Sequence, residues 1–124
     1  MENDFRSNFV TEGSAQLFLS NPMNWLFACI ENNQIIGFAY GYELNRLNSD
    51  GNMLYIHEVG VLPQFQRQGI GKEILNNVKA LCKQVNICKF FLFTEKSNTA
   101  ACALYDSAGG RSAHDDDVAY FFNI

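Results

Sequence analysis

Regular patterning along the chain sets in at Trp25. The run "WLFACIENNQIIGFAYGYEL" holds two apolar stretches rich in aromatic and β-branched residues on either side of a polar Glu31-Asn32-Asn33 turn. It predicts a hairpin of strands Trp25 to Ile30 and Ile35 to Leu44. A polar turn, "NRLNSDGN", leads to "MLYIHEVGV", which is nearly all apolar and is expected as a central strand. Gly60 inside it predicts a bulge or a close backbone approach. Beyond two glycines, Ile70, Ile74, Leu75, Val78, Leu81, Cys82 and Val85 recur at spacings of three and four, the mark of one face of an amphipathic helix. "CKFFLFT" then reads as a strand, "NTAACALYDSAGG" as a short helix ended by glycine, and "VAYFFNI" as a closing strand. Ahead of the hairpin, Thr11 to Leu19 predicts a short helix with Thr11 as its cap and Ala15, Leu17 and Phe18 on its apolar side.

Strand, helix, strand, helix, strand implies a mixed α/β (α+β) sheet with at least one right-handed crossover. The two prolines mark turns, no repeat is visible, and a chain of 124 residues fits a single domain, 1–124. Composition narrows the function. With 48% hydrophobic residues, eleven Phe and five Tyr, the chain can bury a core. A formal charge of −4 argues against a nucleic-acid partner, which would require clustered Lys and Arg, and favours cationic ones. The start "MENDFRSNFV" has no apolar stretch of signal-peptide length and no run is long enough for a membrane, so a cytoplasmic protein with no membrane partner is expected. Cys29, Cys82, Cys88 and Cys102 show no C-x-x-C and no paired His spacing; they read as reduced core residues, with a reactive thiol at Cys102 as the alternative, and no metal is expected.

The chemistry concentrates in "VGVLPQFQRQGIGKEILNNVKAL", where a strand runs into two glycines at the mouth of a helix. Such a helix start presents unpaired N–H groups and positive dipole to an anion. A P-loop would need glycine in place of Gln66 and Ser or Thr in place of Glu73, and a dinucleotide fingerprint would need glycine at Ile74. Both fail. What stands is Gln66-x-x-Gly69-x-Gly71, with Arg67 and Lys72 adding positive charge. This resembles the Q/R-x-x-G-x-G/A loop of the GNAT acetyltransferase superfamily. Downstream, Asn98-x-x-Ala101-x-x-Leu104-Tyr105 and Gly109 resemble that family's N-x-x-A-x-x-L/F-Y-x-x-x-G, and Glu58-Val59-Gly60-Val61 resembles its acidic residue and bulged strand. Within the superfamily the run from "FLSNPMNW" to "GIGKEI" is most similar to GNAT-type aminoglycoside 3-N-acetyltransferases, with antibiotic resistance as the implied setting.

The resemblance implies a mostly antiparallel central sheet with helices on both faces and acetyl-CoA as co-substrate. It implies that the backbone of Gln66, Arg67, Gln68, Gly69, Ile70, Gly71 and Lys72 holds the pyrophosphate. The pantetheine arm would bond the backbone of Val59 and Val61, freed by a bulge at Gly60, and the side chain of Asn98, which also reads as a helix cap. Tyr105 matches the general acid that protonates the leaving thiolate. An amine acceptor is almost wholly protonated at neutral pH, so a base is needed; Glu58 is the best-placed carboxylate, acting directly or through water, or else only orienting a neighbour or binding the cationic substrate. His57, one residue earlier on an alternating strand, should face away from Glu58 and pack. The expected acceptor is a small polycationic amine, concentrated by Glu43, Glu58, Glu95 and the Asp115 to Asp117 run, which with His114 reads otherwise as a solvated turn. Transfer would be direct in a ternary complex.

Family members usually open with a strand and two helices. Here only some two dozen residues precede Trp25, so the opening strand and one helix are expected to be missing and the Trp25 strand to be an open edge. A homodimer would cover such an edge. A non-catalytic acyl-CoA-binding module and a protein-lysine or polyamine acetyltransferase stay open as alternatives.

Overall fold

A computed structural model of the chain describes residues 12–48, 50–112 and 116–124. In chain order it contains helix α1 (Glu12–Leu19), strands β1 (Asn24–Glu31), β2 (Gln34–Leu44) and β3 (Asn52–Val61), a 3-10 turn (Pro63–Phe65), helix α2 (Ile70–Gln84), strand β4 (Ile87–Phe91) and helix α3 (Thr99–Ser107). The strands form one sheet in the order β1-β2-β3-β4. β1 and β2 are antiparallel, β2 and β3 are antiparallel, and β3 and β4, joined through α2, are parallel. This is the mixed α/β arrangement that the alternation of strand and helix patterns predicts.

The hairpin is tighter than the three polar residues suggest. Only Asn32 and Asn33 form the turn, both with positive φ (51° and 62°), the pairing a two-residue turn needs to match the twist of its strands. Asparagine tolerates that conformation better than most residues, which is why the sequence can end one strand and begin the next so abruptly.

The core lies between the sheet and α2. Ala39, Leu54, Ile56, Ile74, Val78, Cys82 and Ile87 are buried together, and Trp25, Phe27, Cys29, Val59, Ile70, Phe90 and Leu92 pack around them. Burying a Leu54 or Ile56 side chain in such a setting contributes about 1.5–3 kcal/mol each. The predicted helix face is therefore the face that is buried, with Val85 the exception: it caps the C-terminus of α2 and stands 40% exposed.

α1 lies against the other face of the sheet, where the Phe18 ring meets Tyr40 and Tyr42 edge-on at 5.5 and 5.7 Å. Helices thus cover both faces, as the family resemblance implies. Ala15 and Phe18 are half-buried, whereas Leu17 points to solvent, because positions three apart share a helix face and adjacent-but-one positions do not. The expected Thr11 cap lies outside the described residues. Among the described residues β1 is an edge strand, as anticipated, with Leu26 and Ile30 partly exposed on it.

Two expectations fail. β4 ends at Phe91, short of the predicted Thr94. "VAYFFNI" forms no strand: residues 118–124 are irregular and exposed. A strand needs a partner edge, and alternation in the sequence cannot supply one.

Candidate active site

β3 carries the first half of the site. Its register with β2 pairs Tyr40 with Glu58 and Gly41 with Ile56, so His57 is the extra residue of a bulge. The bulge therefore sits at His57 and not at Gly60, which pairs in register with Phe38. Gly60 serves close approach: a Cβ there would stand 2.5 Å from the Phe38 ring. The displacement has a consequence for side chains. Ile56 and Val59 both pack toward the core, so His57 and Glu58, the two residues between them, turn to the opposite face together. The expectation that His57 faces away from Glu58 holds for an unbroken strand and is overturned by the bulge.

That face is a continuous layer of rings. Phe38 stacks on Tyr40 (6.2 Å), Tyr40 and Tyr42 flank His57 (5.6 and 6.2 Å), and Tyr55 stacks on Phe91 (5.4 Å) with Phe93 beyond it (5.9 Å). The Tyr55 hydroxyl and His57 Nδ1 share a hydrogen bond of 3.0 Å, its direction set by the imidazole tautomer. Sequence reasoning missed this layer. Its signal was present as aromatic residues two apart in "FAYGY" and as Tyr55-x-His57, which place rings on one side of a strand.

The second half is the opening between β3 and β4. β4 pairs with β3 only as far as Tyr55↔Phe91, while β3 runs on to Val61, so Ile56 to Val61 extend past the last paired position of β4. At the end of this stretch the Gln66 amide donates to the Val61 carbonyl at 3.0 Å. The side chain of Gln66 is thus tied to the strand, and one of the expected pantetheine contacts already has a protein partner.

The loop then enters α2. Arg67 has φ 64° and Gly69 has φ 82°; Gly69 is the N-cap and no side chain caps the helix. A Cβ on Gly69 would meet nothing within 4 Å, and Gln66 to Gly69 and Lys72 are exposed. Uncapped N–H groups, an open approach and two cations suit an anion of phosphate type. Gly71 has a different task. It is buried, and a Cβ there would stand 2.9 Å from Leu104 Cδ2, so its missing side chain lets α3 pack against α2.

α3 supplies the remaining residues. Asn98 caps it, its Oδ1 accepting from the Ala101 amide at 3.1 Å. Tyr105 is half-buried, and burial, with a smaller contribution from Cys102, raises its pKa above the usual tyrosine value. Gly109, with φ 94°, ends the helix as predicted, and Lys79 of α2 donates to the Ala108 carbonyl, tying the two helices at that end.

The expected acidic rim does not assemble as one surface. Glu43 accepts from Trp25 Nε1 (2.9 Å) and from Asn52 Nδ2 (2.8 Å), and it adds to the effect of burial, the larger cause, in raising the pKa of Cys82 on α2. It therefore lies on the core side of the sheet, away from Glu58, because residues 39, 41 and 43 of β2 share the face that Ala39 buries. Asp116 and Asp117 are exposed, and His114 and Asp115 lie outside the described residues. Of the cysteines expected in the core only Cys82 is buried; Cys88 is exposed beside Arg46 Nη1 at 3.2 Å. Among the described residues no group of three or more His, Cys, Asp or Glu could hold a metal ion, and no helix is long and apolar enough to cross a membrane.

A search of curated proteins returned no match. Solved structures share the fold. An aminoglycoside acetyltransferase from an uncultured soil metagenomic sample, in complex with trehalose, superposes with a TM-score of 0.81 at 22% identity, over 94% of this chain and 75% of that one. AAC(6′)-Iy, in complex with a bisubstrate analogue built on CoA, gives 0.77 at 16% identity over 90% and 77%. A transcriptional regulator from Bacillus halodurans gives 0.76 at 18% identity over 88% and 73%. The model of the acetyltransferase (GNAT) family matches residues 2–109. With that match and this fold, the chain belongs to the GNAT family and is an N-acetyltransferase.

Proposed function

We propose that the protein moves the acetyl group of acetyl-CoA to a primary amine of a small polycationic acceptor, aminoglycoside-like in chemistry, by direct transfer in a ternary complex. The observation that carries this reading is the end of β3, paired with β2 but running past its last pair with β4, beside a helix start that no side chain caps. A peptide-like arm can add to Val59 and Val61 as a strand would, and the amides of Gln66 to Lys72, with Arg67 and Lys72, can hold a pyrophosphate. Acetyl-CoA supplies the activated acyl group as a thioester. Glu58 takes the proton of the acceptor nitrogen, directly or through water. Tyr105 gives one to the departing sulfur; its raised pKa keeps that proton on the hydroxyl until transfer. Asn98 keeps its amide N–H groups for the arm, since its cap uses only Oδ1. Cys102 takes no part.

Glu58 and the aromatic layer favour a cationic acceptor, because ring faces attract ammonium groups and a carboxylate complements them. The exposed Asp116 and Asp117 add to that field. A binding-only module is favoured by one observation, the Gln66 amide already seated on the Val61 carbonyl. Turnover of acetyl-CoA against a panel of aminoglycosides, polyamines, peptidyl lysine and neutral amines, run beside calorimetry with coenzyme A, separates the two. Binding without turnover on any amine would overturn the enzyme reading, and a neutral amine preferred over every polycation would overturn the acceptor. An acetylated Cys102 found by mass spectrometry would overturn direct transfer.

A further inference from the structure

α3 carries Tyr105, yet the core does little to hold this helix: none of Thr99 to Ser107 is fully buried. Contacts with α2 hold it instead. Leu104 sits over Gly71, where a Cβ would stand 2.9 Å from Leu104 Cδ2. One turn later the Ala108 carbonyl accepts a hydrogen bond from Lys79 Nζ, and Ala108 is itself buried at this junction. Leu104 and Ala108 are four residues apart and share one face of the helix. Ties at both ends of that turn set how far α3 is rolled about its own axis.

The second tie is built for a cation. A helix ends in carbonyls that lack intrahelical partners and in the negative end of its dipole. At the end of α3 the chain's own donors meet three of them: the Ala108 amide and the Ser107 hydroxyl donate to the Leu104 carbonyl, the Gly110 amide to that of Tyr105 at 2.9 Å, and the Gly109 amide to that of Asp106 at 3.1 Å. The last turn of α3 has no basic residue. Lys79, half-buried one turn after Leu75 on α2, supplies the charge from the other helix and reaches the Ala108 carbonyl. Gly109 leaves it room, since a Cβ there would stand 3.1 Å from Nζ.

Tyr105 follows Leu104 directly, so its side chain leaves the helix about 100° around from the face that meets α2. The hydroxyl at its tip moves with any roll of α3. We propose that Lys79 is a positioning residue for acetyl transfer: its hold on the Ala108 carbonyl fixes the roll of α3 and so the place of the Tyr105 hydroxyl beside the departing sulfur. Lys79 acts through Tyr105 and exchanges no proton with either substrate. A displacement of about 1 Å between reacting groups costs on the order of a hundredfold in rate, so a tie this far from the chemistry has a measurable effect. The inference rests on Tyr105 as the acid.

Lys79→Met, which keeps the stem and removes the donor, tests it, with Lys79→Arg as the variant that keeps a charged donor. The expected result for Lys79→Met is a kcat about ten- to a hundredfold lower, with KM for the acceptor and coenzyme A affinity by calorimetry within about twofold of the natural chain. Lys79→Arg should recover most of that loss. In a Tyr105→Phe chain, Lys79→Met should lower kcat no further, because the two residues act in series. A spectroscopic readout follows the ring itself. Burial, with a smaller contribution from Cys102, raises the pKa of Tyr105, so a loosened α3 should bring its titration, read from the ring carbon resonance, back toward the ordinary tyrosine value. Amides of α3 should exchange faster while those of β2 and β3 do not. An unchanged kcat in Lys79→Met with an unchanged Tyr105 titration would overturn the proposal. So would an equal loss in the Tyr105→Phe chain, or a loss that comes with faster exchange throughout the sheet, which is the mark of a merely structural lysine. Full turnover in Tyr105→Phe alone would remove the acid reading; a moved Tyr105 titration in Lys79→Met would then still show that Lys79 places the ring, and an unmoved one would overturn the placement as well.

Discussion

The two faces of the sheet are built from the same two central strands, β2 and β3, and differ in almost every physical respect. On the α2 side the contributors are aliphatic and wholly buried: Ala39, Leu54, Ile56, Ile74 and Val78 are at most 3% exposed. On the other side stand Tyr40, Tyr42, Tyr55, His57 and Glu58, half-buried or exposed, with polar atoms still within reach of water. The first face holds the chain together by removing methyl and methylene groups from solvent. The second keeps tilted and stacked rings, an imidazole and a carboxylate at or near the surface. A single strand can serve both because its side chains alternate, and one bulge at His57 suffices to shift an acidic residue from the packed side to the ring-bearing one.

The comparison is tested most strongly at Glu58. Glu58→Gln should lower turnover on the best acceptor by about a hundred- to ten-thousandfold while leaving the melting temperature nearly unchanged. A variant that loses stability but keeps its rate would move Glu58 to the structural side of the comparison.

On the opposite face, Leu54→Ala should cost about 2–5 kcal/mol in denaturant unfolding, the usual range for a fully buried Leu truncation. Turnover per folded molecule should survive it. A large change in rate with intact stability would show that the two faces are not separable.

Tyr105→Phe should lower turnover by roughly ten- to a thousandfold with little change in coenzyme A affinity measured by calorimetry. Its pH behaviour sharpens the test. Because burial raises the Tyr105 pKa in the folded chain, the unfolded chain releases this proton first. Its contribution to stability is therefore fully present below about pH 10, the free tyrosine value, and is lost as pH rises through the higher folded value. The natural chain should lose stability on that alkaline limb more steeply than Tyr105→Phe, as read from melting temperatures across pH.

The smallest effect is expected at Glu43, whose two oxygens bridge Trp25 and Asn52. Glu43→Gln keeps one acceptor and replaces the other with a donor, for a loss of about 1–3 kcal/mol, the scale of a hydrogen bond to a charged group. KM for a polycationic acceptor should not change. A raised KM would return Glu43 to the acceptor rim from which its position on the core face removes it.

Much of this was legible in residues alone, and the reasons are local. The hydrophobic repeat from Ile70 to Cys82 predicts α2 and its buried face because a helix imposes its own period. Asn32-Asn33 and Gly109 mark a turn and a helix end because few residues accept positive φ. The glycine loop before α2 and the Asn98-to-Gly109 motif carry the family resemblance, since their backbone demands are written in residue type. The bulge was legible only as a possibility, and Gly60 drew it three residues too far. A register shift depends on which residues of β2 stand opposite, and Phe38 against Gly60 is a packing relation between distant parts of the chain.

By itself, then, the sequence determined the elements, their order, the helix face that is buried and the loop suited to an anion, because each follows from periodicity or backbone preference over a few residues. Tertiary structure alone decided which side each charged group serves. It turned Glu43 inward to Trp25 and Asn52, turned His57 and Glu58 outward together, stopped β4 at Phe91 and left residues 118–124 without a strand partner. Those outcomes depend on pairing register and on which edge remains open, and both are set by contacts between segments far apart in the chain.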